Sequence, residues 1–546
     1  MSQSFDATPQ ATADAVHAVA AAIGAANFPH AQQLAEAALA RGLIHPAFFN
    51  ARAISLERQG RDEDALASFL QARALSPKDP RLLNAIGLCF MRLHRLDDAL
   101  EAFDEAIRID PANAITHQRK GIVLGMGGRQ HDAERAHRRS LQLQPRNADA
   151  LASLASIAAR KGDVQPAKQL ATRALGIDPS NATAHVVLAE GEIFEGEFGT
   201  AETRLRDVLR TDLPAHGKAV ALGVLGDALD GLSLTDEAFS AYEAANTEHK
   251  RLAEKRFLGK PSALDVLDAL IQSYETAGWN EHAGDSTAAG EDTGAHRHVF
   301  LLGFLRSGTT VLEQVLETHE NVATLEEEDF LAGLAQRFLT SRAGLDDLHQ
   351  LDGDALAFAR SQYWENVRRH GIRFEGKVFV DKNPLNTLKL PLIWKLFPKA
   401  KVLFAVRDPR DVVLSCFRRQ FEVDLAKMEL LSLEGTAQFY DRAMRFGDLC
   451  RKTLLLEFYT HRYEDMIADF EQSVRAVCAF LEIPWQDSMI EFADTARAQN
   501  IRSPSAGQVR RGLYDGVGQW KRYEKQLAPI VPVLRPWIEK FGYGEE

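Results

Sequence analysis

The sequence predicts a multidomain chain: an all-helical repeat solenoid followed by an α/β domain with a parallel sheet. Three observations carry that expectation. Pro77, Pro111, Pro145 and Pro179 recur at a step of 34 residues through the N-terminal half. Apolar runs of strand length alternate with helical patterns in the C-terminal half. Between them, residues 278–294 are rich in Gly, Ser, Thr and acid and offer little to pack, as a connector does.

The alanines Ala31, Ala65, Ala99, Ala133, Ala167 and Ala201 keep the same step as the prolines. Small residues let two antiparallel helices approach, and a proline stops the second helix before the next unit begins. A 34-residue period with this punctuation resembles the tetratricopeptide (TPR) repeat. Six units are in register from about residue 12 to 215, and a looser seventh follows with Gly226, Ala238, Tyr242 and Ala245 in matching places. The resemblance implies a concave face that binds a protein or an extended peptide. His117, His131 and His137 lie close together, but no cysteine joins them and their spacing fits no ligand motif, so they read as helix-face residues and no metal is expected. One more amphipathic helix is expected from about Lys250 to Thr276, with Leu264, Val266, Leu267 and Leu270 on its apolar side. The expected domains are 12–250 for the solenoid, 251–295 for a helix and linker, and 296–546 for the α/β domain.

Bulk properties narrow the function classes. A formal charge of −12 disfavours a general binder of nucleic acid. Cys89, Cys416, Cys450 and Cys478 form no CxxC pair, which fits a reducing cytosol and not a disulfide framework or a zinc site. Ala15 to Ala26 lacks a basic leader and reads as helix, and no apolar stretch approaches the roughly 18 residues of a membrane span. A cytoplasmic protein is the expectation.

The α/β half turns on Val299 to Gln314, where an apolar run ends at Gly303, a turn follows, and Val311, Leu312, Val315 and Leu316 repeat at helical spacing. A strand, tight loop and helix N-terminus make an anion site, because backbone N–H groups and the helix dipole converge there. Gly303 and Gly308 have the spacing of a nucleotide-binding P-loop, but Thr309-Thr310 stand where Lys-Ser/Thr would hold phosphate and magnesium. That disfavours a kinase or NTPase. Further strands are expected at Lys377 to Val380, Lys401 to Val406 and Leu454 to Phe458. After the Lys401 to Val406 run, Asp408 suits an N-cap and Pro409 the first helical position. This leaves Arg407 at the strand tip and Ser415 about two turns into the helix.

Arg306-Ser307-Gly308-Thr309-Thr310 resembles the 5′-phosphosulfate loop of sulfotransferases, with Leu305 where many members have proline. The family uses 3′-phosphoadenosine-5′-phosphosulfate (PAPS), and Arg407 with Ser415, eight residues on, resembles its 3′-phosphate pair. Lys382, in Asp381-Lys382-Asn383-Pro384, and Glu327, 21 residues after Arg306, resemble tyrosylprotein sulfotransferases in their placing. The resemblance implies catalytic roles for Arg306, Lys382 on the transferred group's oxygens, and Glu327 as general base. His319 is the next candidate base. Leu325 replaces a usual glycine and Glu328-Asp329 depart from the pattern, leaving the acceptor open. On its own sequence, the Glu326-Glu327-Glu328 run also reads as a solvated helix start. Arg510 to Tyr523 resembles the closing segment of bacterial TPR-linked members, which implies nucleotide contacts for Arg511 and Tyr514. Arg462-Tyr463-Glu464-Asp465 resembles another family segment, with a structural task. The expected function is PAPS-dependent transfer of a sulfuryl group to a hydroxyl, with no metal, on an acceptor recruited by the repeats. The alternative is a TPR scaffold with an inactive nucleotide-binding domain.

Overall fold

The computed structural model describes residues 9–276, 294–421, 423–493, 513 and 516–544. The chain falls into two compact units, Met1–Gly191 and Glu192–Glu546.

The first unit is a stack of helical hairpins. Ala31, Ala65, Ala99, Ala133 and Ala167 are at most 2% exposed, so the periodic alanine marks where helices touch. Pro77, Pro111, Pro145 and Pro179 lie in the turns after second helices. Two residues on, Asp79, Asn113, Asn147 and Asn181 cap the next helix by accepting a backbone N–H, each such cap contributing about 1 kcal/mol. Gly87 and Gly121 face Phe103 and His137, whose rings lie where a Cβ would sit, at 2.7 and 2.6 Å. His137 therefore fills an aromatic packing position, and burial lowers its pKa to about 4.

The second unit holds a five-stranded parallel sheet in the order β2-β3-β1-β4-β5. Its strands are β1 (Arg297–Gly303), β2 (Val322–Glu326), β3 (Val378–Lys382), β4 (Lys401–Val406) and β5 (Glu457–Arg462). Side chains alternate between two cores, one on each face. Phe300, Leu302, Phe379, Val402 and Phe404 face one, while Val299, Leu301, Val378, Val380 and Leu403 face the other. Covering both faces with helices is what lets these strands be apolar nearly throughout. The sheet differs from expectation at its edges. β2 was not expected, and the acidic run that read as a helix start begins on its last residue. β5 starts at Glu457, three residues later than the apolar run, because Leu454 still belongs to the end of helix Leu433–Thr453 as its C-cap.

Four helices ahead of the sheet, Phe198–Leu209 the first of them, belong to the same unit. Leu267, Leu270, Ile271 and Tyr274 of helix Ala263–Thr276 are buried in the larger core, and Tyr274 Oη lies 2.6 Å from Thr453 Oγ1. The hairpin of helices Ala215–Gly231 and Thr235–Phe257 grips the end of helix Pro409–Arg418. Arg418 pairs with Asp230 at 2.6 Å, Asn246 donates to the Phe417 carbonyl at 2.9 Å, and Phe239 stacks on Phe417. The domain limits 12–250, 251–295 and 296–546 stay a proposal about sequence types, since the packed bodies divide elsewhere. The connector at 278–294 lies outside the described residues, apart from Gly294.

This packing sets an expected result for truncation. Residues 192–546 should fold, whereas 290–546 should not. Removing Leu267, Leu270, Ile271 and Tyr274 forfeits about 1.5–3 kcal/mol apiece, comparable in sum with a domain's whole stability of roughly 5–15 kcal/mol. Thermal unfolding of the two fragments tests this, and equal melting temperatures would refute it. Among the described residues no helix is long and apolar enough to cross a membrane. All four cysteines are unpaired and buried.

Candidate functional site

The tips of β3, β1 and β4 are neighbours, and each delivers one part of the site. β1 ends at Gly303 (φ 151°), where a Cβ would come within 2.4 Å of the Ala405 carbonyl oxygen, so glycine is required for the strands to stay in register. The loop then runs through Arg306 to Gly308 and opens helix Thr309–Glu317. Gly308 (φ 91°) is the N-cap and has no side chain with which to cap the helix. A Cβ there would meet Tyr463 at 2.6 Å. Arg306 also takes a positive φ, 66°, a conformation that costs a non-glycine residue about 1–2 kcal/mol. The strained turn aims its side chain across to the next strand's helix. There Nε donates to Ser415 Oγ at 2.9 Å.

Arg407 stands at the tip of β4, 8% exposed. It reaches the Arg306 carbonyl at 3.5 Å and donates to the Gly516 carbonyl, while its guanidinium lies 4.9 Å from the Tyr463 ring centroid. Its buried Nε has no hydrogen-bond partner among the described residues. As expected, Asp408 caps helix Pro409–Arg418, accepting from the Arg410 amide at 2.9 Å. Asp411 in that helix's first turn accepts the Gly518 and Trp520 amides, both at 2.8 Å, and Arg410 covers the Trp520 ring. Burial raises the Asp411 pKa to about 6. Gly516, Gly518 and Trp520 are thus pinned beside Arg407 and its helix. Arg511 and Tyr514 lie outside the described residues.

Ser307, Thr309 and Thr310 are nearly buried in the loop and first turn. Burial, with Arg419 and Arg407 nearby, lowers the Arg306 pKa to about 9. A site that makes its own arginine uncomfortable is one in which an anion gains. The Arg306 loop and the Arg407–Ser415 pair, read separately in the sequence, are contiguous here, joined by the Arg306–Ser415 hydrogen bond.

Lys382 closes β3 and is fully buried. Its Nζ lies 2.9 Å from Glu327 Oε1, 3.1 Å from Glu313 Oε2 and 3.7 Å from Glu326 Oε1. Glu327 turns the chain after β2 with φ 49°, and its amide donates to the Lys382 carbonyl at 2.8 Å. His319 is not available as a base. Its Nδ1 accepts the Asn321 amide at 3.1 Å, which leaves Nε2–H to donate to the Pro484 carbonyl at 2.9 Å, so both nitrogens are engaged. Glu464 also has a task that its sequence did not reveal, since it accepts the Asp408 amide and the Tyr543 hydroxyl and ties the β4 tip to the C-terminus. Glu313 went unnoticed too. The only signal was a charge amid Val311, Leu312, Val315 and Leu316, and from Thr309 to Leu316 every residue of this helix is buried.

Comparison with known proteins finds likenesses for both parts of the chain. Residues 298–487 match the sulfotransferase family model, and residues 18–80, 50–114 and 121–182 match the tetratricopeptide repeat. The C-terminal half carries a sulfotransferase-family domain. A protein-tyrosine sulfotransferase 1 of Danio rerio is 28% identical over 259 residues, covering 45% of this chain and 72% of that protein. An uncharacterised protein of Aquifex aeolicus is 28% identical over 254 residues, covering 45% of this chain and 33% of that protein. Among solved structures, a tetratricopeptide repeat protein from Parabacteroides merdae superposes with a TM-score of 0.37 at 14% identity, over 44% of this chain and 93% of that one. The sulfotransferase match begins in β1 and ends beyond β5, so the sheet apart from Arg297 and the residues Arg306, Glu327, Lys382, Arg407 and Ser415 lie within it.

Proposed function

We propose that the protein is a cytoplasmic, PAPS-dependent sulfotransferase whose repeats recruit a hydroxyl-bearing protein or peptide, with tyrosine as the candidate acceptor. The observation that carries this reading is the meeting of an uncapped loop helix, Arg306, Arg407 and Lys382 at the tips of three adjacent strands. PAPS would supply an activated sulfuryl group on a phosphate leaving group. The loop amides with Ser307, Thr309 and Thr310 would hold its 5′ end, and Arg407 and Ser415 its 3′-phosphate. Arg511 and Tyr514 are proposed to complete the nucleotide contacts. Lys382 would offset charge gathering on the leaving oxygen, which needs no metal ion. Glu327 would take the acceptor's proton, its carboxylate becoming a better base once Lys382 turns from it to the leaving group.

The test is calorimetric titration with 3′-phosphoadenosine-5′-phosphate and with AMP, each with and without EDTA. The bisphosphate should bind more tightly, and EDTA should change nothing. Arg407→Ala should cost the bisphosphate about 2–4 kcal/mol, from loss of a charge-assisted pair in a buried site. AMP should lose less, the part that reflects Arg407 bracing the Arg306 carbonyl. Equal losses for both nucleotides would sink the 3′-phosphate assignment, and a large EDTA effect would point to magnesium-dependent chemistry instead.

A further inference from the structure

Lys382 is surrounded by more negative charge than it can balance. Glu313 and Glu327 lie within 3.1 Å of Nζ, and Glu326 lies at 3.7 Å. One ammonium among three carboxylates would leave two uncompensated charges, and a buried charge without a partner costs several kcal/mol. The three carboxylates are not equally placed to bear this. The Glu326 and Glu327 side chains are 18% and 32% exposed and can be hydrated, whereas Glu313 is completely buried. Neither Glu313 oxygen has a well-formed hydrogen bond among the described residues. A proton on Glu313 removes the largest part of the imbalance.

Resting on the sulfotransferase reading, we propose that Glu313 is a positioning residue for Lys382. Protonated, it leaves the ammonium available to the phosphate side of the donor; ionised, it draws the ammonium into a buried ion pair. The groups facing Glu313 agree with a retained proton. Lys382 on β3 is the only cation among those described, while Glu326 on β2 and Glu317 one turn along its own helix are both acidic. The β1 neighbour on that face, Leu301, is apolar. Glu317 is itself held by Gln314 at 3.3 Å and Thr324 at 3.0 Å. Burial, opposed in part by Lys382, moves the Glu313 pKa up to about 8. The proton would therefore be lost just above neutral pH.

The experiment titrates the full chain with 3′-phosphoadenosine-5′-phosphate from pH 6.5 to 9, as wild type, Glu313→Gln and Glu326→Gln. Ionisation of a linked group costs up to tenfold in affinity per pH unit above its pKa. Wild type should thus lose about tenfold more affinity between pH 7 and pH 9 than Glu313→Gln, which cannot ionise. Arg306, with its lowered pKa, adds a pH dependence common to all three proteins, so the difference between curves is the readout. Glu326→Gln should keep the fall in affinity but begin it at lower pH, since it removes one of the charges that hold the proton on Glu313. If Glu326→Gln alone flattens the curve, the proton belongs to Glu326 and the inference falls. Parallel curves for wild type and Glu313→Gln also overturn it, while leaving the nucleotide reading intact. Absence of binding in wild type at every pH would reject the nucleotide reading itself. Should Glu313→Gln not fold, wild type alone suffices. Binding at pH 8.5, repeated in buffers of different ionisation enthalpy, should take up a proton, and no uptake would overturn the inference.

Discussion

Lys382→Met should reduce sulfuryl transfer by at least about 10²–10³-fold, the usual worth of one preorganised donor to charge developing in a transition state. The same change should destabilise the fold. It leaves Glu313, Glu326 and Glu327 crowded together without a cation, and breaking a buried pair from one side costs about 3–5 kcal/mol. The two effects separate by pH. Burial already raises the Glu313 carboxyl, and without the ammonium that opposes this it is held further above its unfolded value, so the variant's stability is greatest at acid pH and falls as pH rises through the folded value. Wild type keeps the ammonium, whose pKa its carboxylate partners push up, and should lose less stability between pH 5 and pH 8. The measurements are thermal unfolding at both pH values and turnover per nucleotide-binding site. A variant that unfolds early yet turns over normally per site would make Lys382 a structural ion-pair partner and nothing more.

How far the site could be read beforehand depended on which forces fixed each part. The loop was legible because its glycines answer local demands: Gly308 needs a positive φ and contact with Tyr463, and such demands are written at one position. β4 and its capped helix were legible for the same reason, since Lys401–Val406 is a short apolar run followed by Asp408 and Pro409. β2 was not. It is an edge strand with β3 as its single strand neighbour, Ala323 and Thr324 are only partly covered, and its last residue begins an acidic run. The helix expected from Lys250 to Thr276 is broken between Phe257 and Ala263, where Gly259 and Pro261 stand, and its first residues belong to helix Thr235–Phe257. That Ala263–Thr276 joins the sheet's core was not expected either, because amphipathicity shows that a face is covered without showing by what. Glu313 and Glu464 act only through residues distant in the chain, on Lys382 and on Asp408, so nothing near them in the sequence announces the role.

Adjacent glutamates would ordinarily diverge, which is why a single one, Glu327, was expected at the reacting centre. The backbone at Glu327 changes that expectation. Its φ of 49° folds the chain back after β2, so that both Glu326 and Glu327 reach Lys382. They still differ in what they can touch. Glu326 sits in the strand, 18% exposed and in register with Lys382, while Glu327 is 32% exposed at the open side where an acceptor hydroxyl would arrive. Glu328 faces away, 3.6 Å from His370. Glu327→Gln should therefore lower turnover by about 10²–10⁴-fold, the usual span for removing a general base, with nucleotide affinity nearly unchanged. The amide oxygen can still accept from Lys382, so the lysine should keep its place while the proton loses its destination. Glu326→Gln should cost less than about tenfold, and Glu328→Gln less again. Turnover of each variant on an acceptor identified by labelling a cell lysate with radioactive PAPS decides the matter. If Glu326→Gln proves the damaging change, the base is the strand residue and Glu327 serves only to hold Lys382. If none of the three matters, proton removal is not their task, and since both nitrogens of His319 are engaged, water or the donor itself must accept it.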